Sequence, residues 1–479
     1  MVSEIIGRIS PHKNTEDASC TSSGQSALKL ASHQTSALTY MDACGSLGLF
    51  YGPGTGKTLT VLAWAYFKIM RGEIGNFLVV SPATMVAGWA SAIDGMYRFE
   101  EFEEEGIEAV RQAMTVRSYQ KVYRSEKVVR RNRYGDEETT RVYHLRDDID
   151  HRWDALIIDE SHHLGGHSSV QTKTCMTLAR LAKHRFILTG TPVDGGGGQA
   201  DYSKLFGQIS ILDPDRFRNW TAFCGEFVKS MNRWHKPTMY HEERCRDLMS
   251  EYAISCRLRD VADLPAELDE FQECPLMEKK VYDNLRKMKD LEQYGIDIKV
   301  GGGTHPKLLQ VCSGSLKRDD GTTISLKCSK EDVLADRLRS TTDPIVVFCR
   351  FRHSIDTVVR IAESLGKEVL VQDGRSKRSN IWEDFQEGSG DVLVIQYSSG
   401  GEGLNVQRSS FTIYYEPTLS ALDYKQSRAR IMRLGQVMPC LYLHLITPKT
   451  AEEKVWETIR KGHDVTDKMF EEWAKNGII

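Results

Sequence analysis

The sequence predicts two tandem α/β domains, each a doubly wound parallel sheet, joined by a helical connector. Three observations carry this expectation. Short apolar, β-branched runs recur along the chain, as strands buried on both faces of a parallel sheet require. Longer helical stretches alternate with them, the order of a strand–helix–strand fold. The runs also fall into two sets, separated by a stretch of different character, so two sheets are expected rather than one.

In chain order, residues 1–27 are polar and rich in Ser, Thr and Asn, and are expected to be a flexible lead-in. The first domain is expected over 28–212, with strands at 47–51, 77–80, 155–159 and 186–188. The connector is expected over 213–270, where 212–236 carries Trp, Phe and charge at helical spacing. The second domain is expected over 271–479, with strands at 345–349, 368–371, 392–396, 412–415 and 441–446. Within it, 278–292 has a charged amphipathic pattern and 301–304 is a glycine-rich loop. One more segment, 127–146, has two partly alternating arms around Tyr134-Gly135-Asp136 and predicts an exposed charged hairpin, either a nucleic-acid-contacting pin or a solvated insertion.

Composition sets outer bounds. The chain has 479 residues, with 40% hydrophobic and 27% charged, which suits full-sized cores in two or three domains. No apolar run reaches the roughly 20 residues a membrane helix needs, and residues 1–25 contain no apolar signal core, so a cytoplasmic protein is expected, with no membrane partner. The eleven cysteines are scattered singly with no Cys-x-x-Cys pair, which argues against structural zinc and for reduced thiols. A net charge of −3 gives no global pull on nucleic acid, although a basic groove can be local.

Two segments carry the chemistry. Gly52-Pro53-Gly54-Thr55-Gly56-Lys57-Thr58 follows an apolar strand and precedes a helical run, the context of a phosphate-binding loop. Its glycines let the backbone curl so that N–H groups face phosphates, and the helix N-terminus adds partial positive charge. Lys57 is expected to reach the β- and γ-phosphates, and the Thr58 hydroxyl to bind magnesium. Ala155-Leu156-Ile157-Ile158-Asp159-Glu160 is a buried strand ending in two carboxylates. Asp159 is expected to hold the magnesium and Glu160 to polarise an attacking water as general base.

These residues and several others resemble superfamily two helicases, in their Swi/Snf-like branch. Asp159-Glu160-Ser161-His162 is similar to the DEAH box, and the phosphate loop to Walker A. Leu188-Thr189-Gly190-Thr191-Pro192 resembles the third motif and Ser398-Ser399-Gly400-Gly401-Glu402-Gly403-Leu404-Asn405 the fifth. The run from Gln426 to Gln436, with Arg430 and Arg433, resembles the QxxxRxxRxGQ motif. Fainter echoes occur in order: His33-Gln34, Val80-Ser81-Pro82 with Trp89, Arg117-Ser118-Tyr119, Asp263-Leu264-Pro265 and Val347-Phe348-Cys349-Arg350. The resemblance spans about residues 28–460. It implies RecA-like domains and a motor that uses ATP and magnesium, with nucleic acid, duplex DNA first, as its partner.

The resemblance also assigns roles. Gln34 would hydrogen-bond the adenine. Thr189 and Thr191 would couple nucleotide to nucleic acid, and Gly403 with its neighbours would touch both. Arg430 and Arg433 would be arginine fingers from the second domain, and Gln426 would order the γ-phosphate region. Three residues apart, the two arginines are expected to share one helix face. Ser81, Ser118, Arg350 and Ser398, with Arg352 and Arg375, are candidate backbone contacts. Leu49-Phe50-Tyr51-Gly52 replaces the branch's usual Asp-Glu-Met-Gly lead and long helical protrusions are lacking, which points to a compact prokaryotic or phage-type member, with a nuclear one left open. Two alternatives remain: a protein-remodelling ATPase of AAA type, suggested by the Gly-Pro-Gly-Thr-Gly-Lys-Thr loop, and a motor serving a separate nuclease.

Overall fold

The computed structural model describes residues 28–131, 137–164, 166–196, 199–261, 263–287, 304–376, 378, 380–399, 404–433 and 435–462. They divide into two compact units, the first Met1–Asp194 with Gln199–Ala262 and the second Asp263–Ile479 with the short Gly195–Gly198 segment. In the first unit the strands are β1 (Ser46–Tyr51), β2 (Phe77–Ser81), β3 (Met114–Ser118), the hairpin arms β4 (Tyr123–Arg131) and β5 (Glu137–Leu145), β6 (Trp153–Ile158) and β7 (Ala182–Leu188). Short ribbons follow, β8 (Asp194–Gly196) with β9 (Gln199–Asp201) and β10 (Val228–Met231) with β11 (Pro237–Tyr240), and then β12 (Ala253–Cys256). The main sheet has the order β12-β1-β7-β6-β2-β3, and every neighbouring pair is parallel.

The second unit contains β13 (Glu267–Glu273), a ribbon of β14 (Ser315–Lys317) and β15 (Thr323–Ser325), then β16 (Ile345–Cys349), β17 (Val369–Gln372), β18 (Val392–Gln396), β19 (Phe411–Tyr414) and β20 (Cys440–Ile446). Its main sheet runs β13-β20-β19-β16-β18-β17, again wholly parallel. The two parallel-sheet α/β domains are therefore present. The nine apolar runs anticipated from sequence are β1, β2, β6, β7 and β16–β20. Most are legible because both faces are covered: Leu47, Leu49, Ile157, Ile158, Val346 and Val347 are all wholly buried, whereas the edge strand β17 is apolar but only partly buried.

Three strands lacked that signal. β3 has only partly buried residues until Ser118, β12 reads Ala-Ile-Ser-Cys, and β13 is largely acidic. Two of them correct the expected connector over 213–270. β12 lies within it yet pairs with β1, and β13 begins within it yet pairs with β20. Helical spacing over 212–236 also holds only for the helix Trp220–Phe227; the chain then turns back as the β10–β11 hairpin. The expected charged hairpin exists as β4 and β5, with Lys127 opposite Arg141; its turn at 132–136 lies outside the described residues. The helix expected over 278–292 is described as Lys279–Arg286, and the loop at 301–303 lies outside.

The second unit buries a histidine. His444 on β20 has no exposed side-chain surface, stacks on Phe271 at 4.7 Å, and its Nε2 lies 2.9 Å from the Tyr424 hydroxyl. Burial holds its pKa down at about 4, outweighing the carboxylate of Asp269. The unfolded chain titrates near 6.5. A depressed folded-state pKa means the stabilisation is complete above about pH 6.5 and is lost as pH falls toward about 4, by up to about 3 kcal/mol. The expected result is a denaturant midpoint for the second unit that falls between pH 7 and pH 5, and a shallower fall in His444→Gln. An equal slope in the variant would show that the acid sensitivity lies elsewhere.

Candidate functional site

The site grows from the carboxyl ends of three neighbouring strands. β1 runs into the glycine loop, β7 into Thr189, and β6 into Asp159, and β7 lies between the other two. After β1 the chain curls through Gly54 and Gly56, both with positive φ, and Lys57 begins the helix Lys57–Met70. Gly56 sits at φ 82°, and a Cβ there would collide with the Gln34 side-chain amide. The first-turn N–H groups of this helix have no intrahelical acceptors, which suits an anion.

The helix Ser32–Cys44 clasps this loop. His33 Nε2 lies 2.8 Å from the Thr55 carbonyl, the Tyr51 hydroxyl donates to His33 O at 3.2 Å, and the Gln34 amide donates to Gly56 O at 3.5 Å. Gln34 is buried, and its Oε1 accepts from Ala31 N at 2.8 Å. Within the loop, the Thr55 hydroxyl donates to Gly52 O at 2.7 Å. The Lys57 ammonium donates to Tyr51 O at 2.9 Å and to Gly52 O at 3.5 Å. Thr58 is the second residue of the helix. Gly190 presses on the loop from β7: a Cβ there would lie 3.1 Å from Pro53 Cδ.

Asp159 is almost wholly buried, one residue past the end of β6. One carboxylate oxygen accepts from Trp89 Nε1 at 3.0 Å and the other from the Glu160 N–H at 3.0 Å. Glu160 adopts φ 46°, ψ 54°, a left-handed conformation that costs a non-glycine residue about 1–3 kcal/mol. Tyr119 helps hold it there, its hydroxyl donating to Asp159 O at 2.7 Å and to Glu160 O at 3.5 Å. The turn brings Glu160 Oε2 within 3.2 Å of His162 Nδ1, and that nitrogen lies 3.1 Å from Thr189 Oγ1. Thr189 Oγ1 in turn accepts from the Thr191 N–H at 3.0 Å. A continuous polar path thus runs from the acidic pair to the loop after β7.

Trp89, Tyr119 and His162 were visible in the sequence only as parts of motifs; their partners are contacts of the fold. Removing the indole donor leaves a buried carboxylate oxygen short of a hydrogen bond, worth about 1–3 kcal/mol. Trp89→Phe is therefore expected to lower the urea midpoint of the first unit. An unchanged midpoint would show that the bond contributes nothing to stability.

In the second unit the helix Ala421–Arg428 ends before the two arginines, which corrects the expectation that Arg430 and Arg433 share a helix face. The Tyr442 hydroxyl donates to Arg428 O at 2.9 Å, leaving that carbonyl only a long 3.5 Å contact from Met432 N, and the Val406 N–H takes Arg430 O at 3.1 Å. These competing partners draw residues 429–433 into turns. Arg430 is buried and donates through Nη1 to Leu404 O at 3.4 Å; Arg433 is half-buried and donates through Nε to Ala429 O at 3.0 Å. Gln426 is buried on the same helix. Gly403 lies outside the described residues.

The candidate nucleic-acid contacts separate. Ser81 and Ser118 pair across β2 and β3, and both are buried, with the Ser81 hydroxyl donating to Pro82 O. Arg350 is half-buried, its N–H bound to the buried carboxylate of Glu416, whereas Ser398 is exposed. Arg375 is tied up by Asp356 and Asp373. Among the described residues no helix is long and apolar enough to cross a membrane.

Comparison with known proteins adds to this geometry. Residues 33–311, more than half of the chain, match the SNF2-related domain, and residues 329–435 match the helicase conserved C-terminal domain. The chain is 23% identical to the SWI/SNF chromatin-remodeling complex subunit snf22 of Schizosaccharomyces pombe, over 87% of this chain and 26% of that protein. It is 22% identical to the uncharacterized ATP-dependent helicase YqhH of Bacillus subtilis, over 88% of this chain and 75% of that protein. A solved SWI2/SNF2 ATPase core of Sulfolobus solfataricus, in complex with dsDNA, aligns over 94% of each chain with 19% identity and a TM-score of 0.41. The chain thus spans about a quarter of the fission-yeast relative and three quarters of the bacterial one.

Proposed function

The chain belongs to the SNF2-related domain family, and from that premise we propose that it is an ATP hydrolase stimulated by nucleic acid, which couples hydrolysis to translocation along duplex DNA. The observation that carries the reading is the convergence of the glycine loop, Thr189 and the Asp159–Glu160 pair at three adjacent strand ends, joined through His162. Residues 28–212 supply the nucleotide-binding core and residues 271–479 the C-terminal helicase domain. The second unit's own parallel sheet and helicase match leave no support for a single-core protein remodeller.

In this reading the curled loop, Gly52 to Gly56, and the helix N-terminus cradle the phosphates, and Lys57 swings from the β1 carbonyls to the β- and γ-phosphates. Gln34 reads the base edge from its place against Gly56. The buried Asp159 and the Thr58 hydroxyl would hold magnesium, which when bound would supply charge neutralisation on the phosphates. Glu160, aimed by its left-handed turn, orients and deprotonates the attacking water. Arg430 and Arg433 supply positive charge to the γ-phosphate in the hydrolysing state, Gln426 orders that region, and the loop containing Gly403 contacts both nucleotide and strand. The path Glu160–His162–Thr189–Thr191 gives the nucleic-acid face a route to the acid.

The test is ATP turnover without nucleic acid and with single-stranded DNA, duplex DNA or RNA, with Lys57→Ala as control. Turnover is expected to rise most with duplex DNA and to vanish in the control. Turnover indifferent to every nucleic acid would remove the motor reading.

A further inference from the structure

We infer that the β10–β11 hairpin, which none of the motifs includes, is a second nucleic-acid contact that grips the backbone with its cations and stacks the indole of Trp234 on an unpaired base. This rests on the nucleic-acid reading above. Between Phe227 and Tyr240 the chain carries Lys229, Arg233, His235 and Lys236 and no acidic residue. All four are exposed, and among the described residues Lys229, Arg233 and Lys236 face no carboxylate in an ion pair. Trp234 stands at the tip with 69% of its surface exposed, and the Arg233 guanidinium lies 4.9 Å from its ring centre. Met231 and Met239 add exposed apolar surface on the arms.

The tip is built to hold that display. Asn232 Oδ1 accepts from the N–H groups of Trp234 and Lys236 at 2.9 and 3.0 Å, and His235 takes a left-handed φ of 55°. The Asn232 N–H donates to Lys236 O at 2.9 Å, and the Ser230 and Thr238 hydroxyls bond across the arms at 2.7 Å. The base is anchored: Tyr240 is buried in an aromatic subcore with Phe223 and Phe227, and its hydroxyl donates to Asp201 at 2.9 Å. Of the acids near the base, Glu242 pairs with Arg246 and Glu226 with Arg216, while Glu243 is exposed beside Lys229 and away from the tip.

A fixed, largely exposed indole flanked by exposed cations matches the chemistry of a strand: phosphates for the cations and a flat π-face for the ring. Inside an intact duplex both faces of each base are covered by neighbours, so the indole requires a nucleotide out of the stack. The hairpin therefore favours DNA containing a gap or junction over a flush duplex.

The experiment measures binding of the full chain to a blunt duplex and to the same duplex with an unpaired gap, across a salt series. Trp234→Ala is expected to weaken gapped-DNA binding about tenfold and leave the blunt duplex unchanged, and Trp234→Phe to restore most of the loss. Replacing Lys229, Arg233 and Lys236 together by Gln is expected to reduce the salt slope of log K by roughly 2 to 3 on either DNA. Equal effects of Trp234→Ala on both DNAs, or none, or an unmoved salt slope in variants whose unfolding midpoints match wild type, would overturn the proposal. Wild type that binds neither DNA would overturn the functional reading itself.

Discussion

Glu160→Gln is expected to keep ATP binding and to lower turnover by about 10³-fold. Glutamine has the shape of glutamate, so the left-handed turn, the Tyr119 hydrogen bonds and the contact with His162 can all persist. What is lost is the negative charge that takes a proton from water. Lys57 and the loop N–H groups, which bind the phosphates in the proposed mechanism, are untouched. Equilibrium ATP binding beside single-turnover hydrolysis separates the two. Loss of both together would mean that Glu160 organises the site rather than serving as base. Retention of both would take the catalytic role away from it.

Arg430→Ala is expected to cost about 10³-fold in nucleic-acid-stimulated turnover with little loss of ATP binding. The competing account is structural. Arg430 is buried and bonded to Leu404 O, so truncation could simply loosen the segment that ties residues 404–406 to residues 428–433. Arg430→Lys and the unfolding midpoint of each variant decide between them. A catalytic guanidinium leaves the midpoint near wild type and is poorly replaced by lysine, because planar two-pronged charge on phosphate is lost. A structural one shows its effect in the midpoint first. Arg433, half-buried and near the surface, gives the parallel measurement at lower structural risk.

Much of the candidate site could be seen in the sequence because its parts are contiguous. Strand, glycine loop and helix sit within residues 46–70, so local backbone chemistry alone predicts an anion cradle there. The same holds for the apolar run that ends in Asp159 and Glu160. Where a segment's role depended on distant partners, local signal failed. The arginine pair was expected on one helix face, yet Tyr442 and Val406 compete for the carbonyls that would have carried the helix onward. β12 has no apolar run of its own and is a strand only because β1 offers an open edge. The helical spacing expected over 212–236 runs on past Phe227 in the sequence, but Asn232 closes a turn there and sends the chain back.

By itself, the amino-acid sequence determined that there are two parallel α/β sheets and that one of them bears a phosphate loop and an acidic pair. Those features follow from hydrophobic runs and from glycine's access to positive φ, both properties of short segments. Tertiary structure alone decided that β7 lies between the two motifs, and that Trp89, 70 residues away, holds Asp159. It also decided that His162 bridges Glu160 to Thr189, and that Ser81 and Ser118 are hidden. The reason is that strand order and side-chain burial are set by how the whole sheet closes over its core, and pairings across tens of residues leave no mark in local composition.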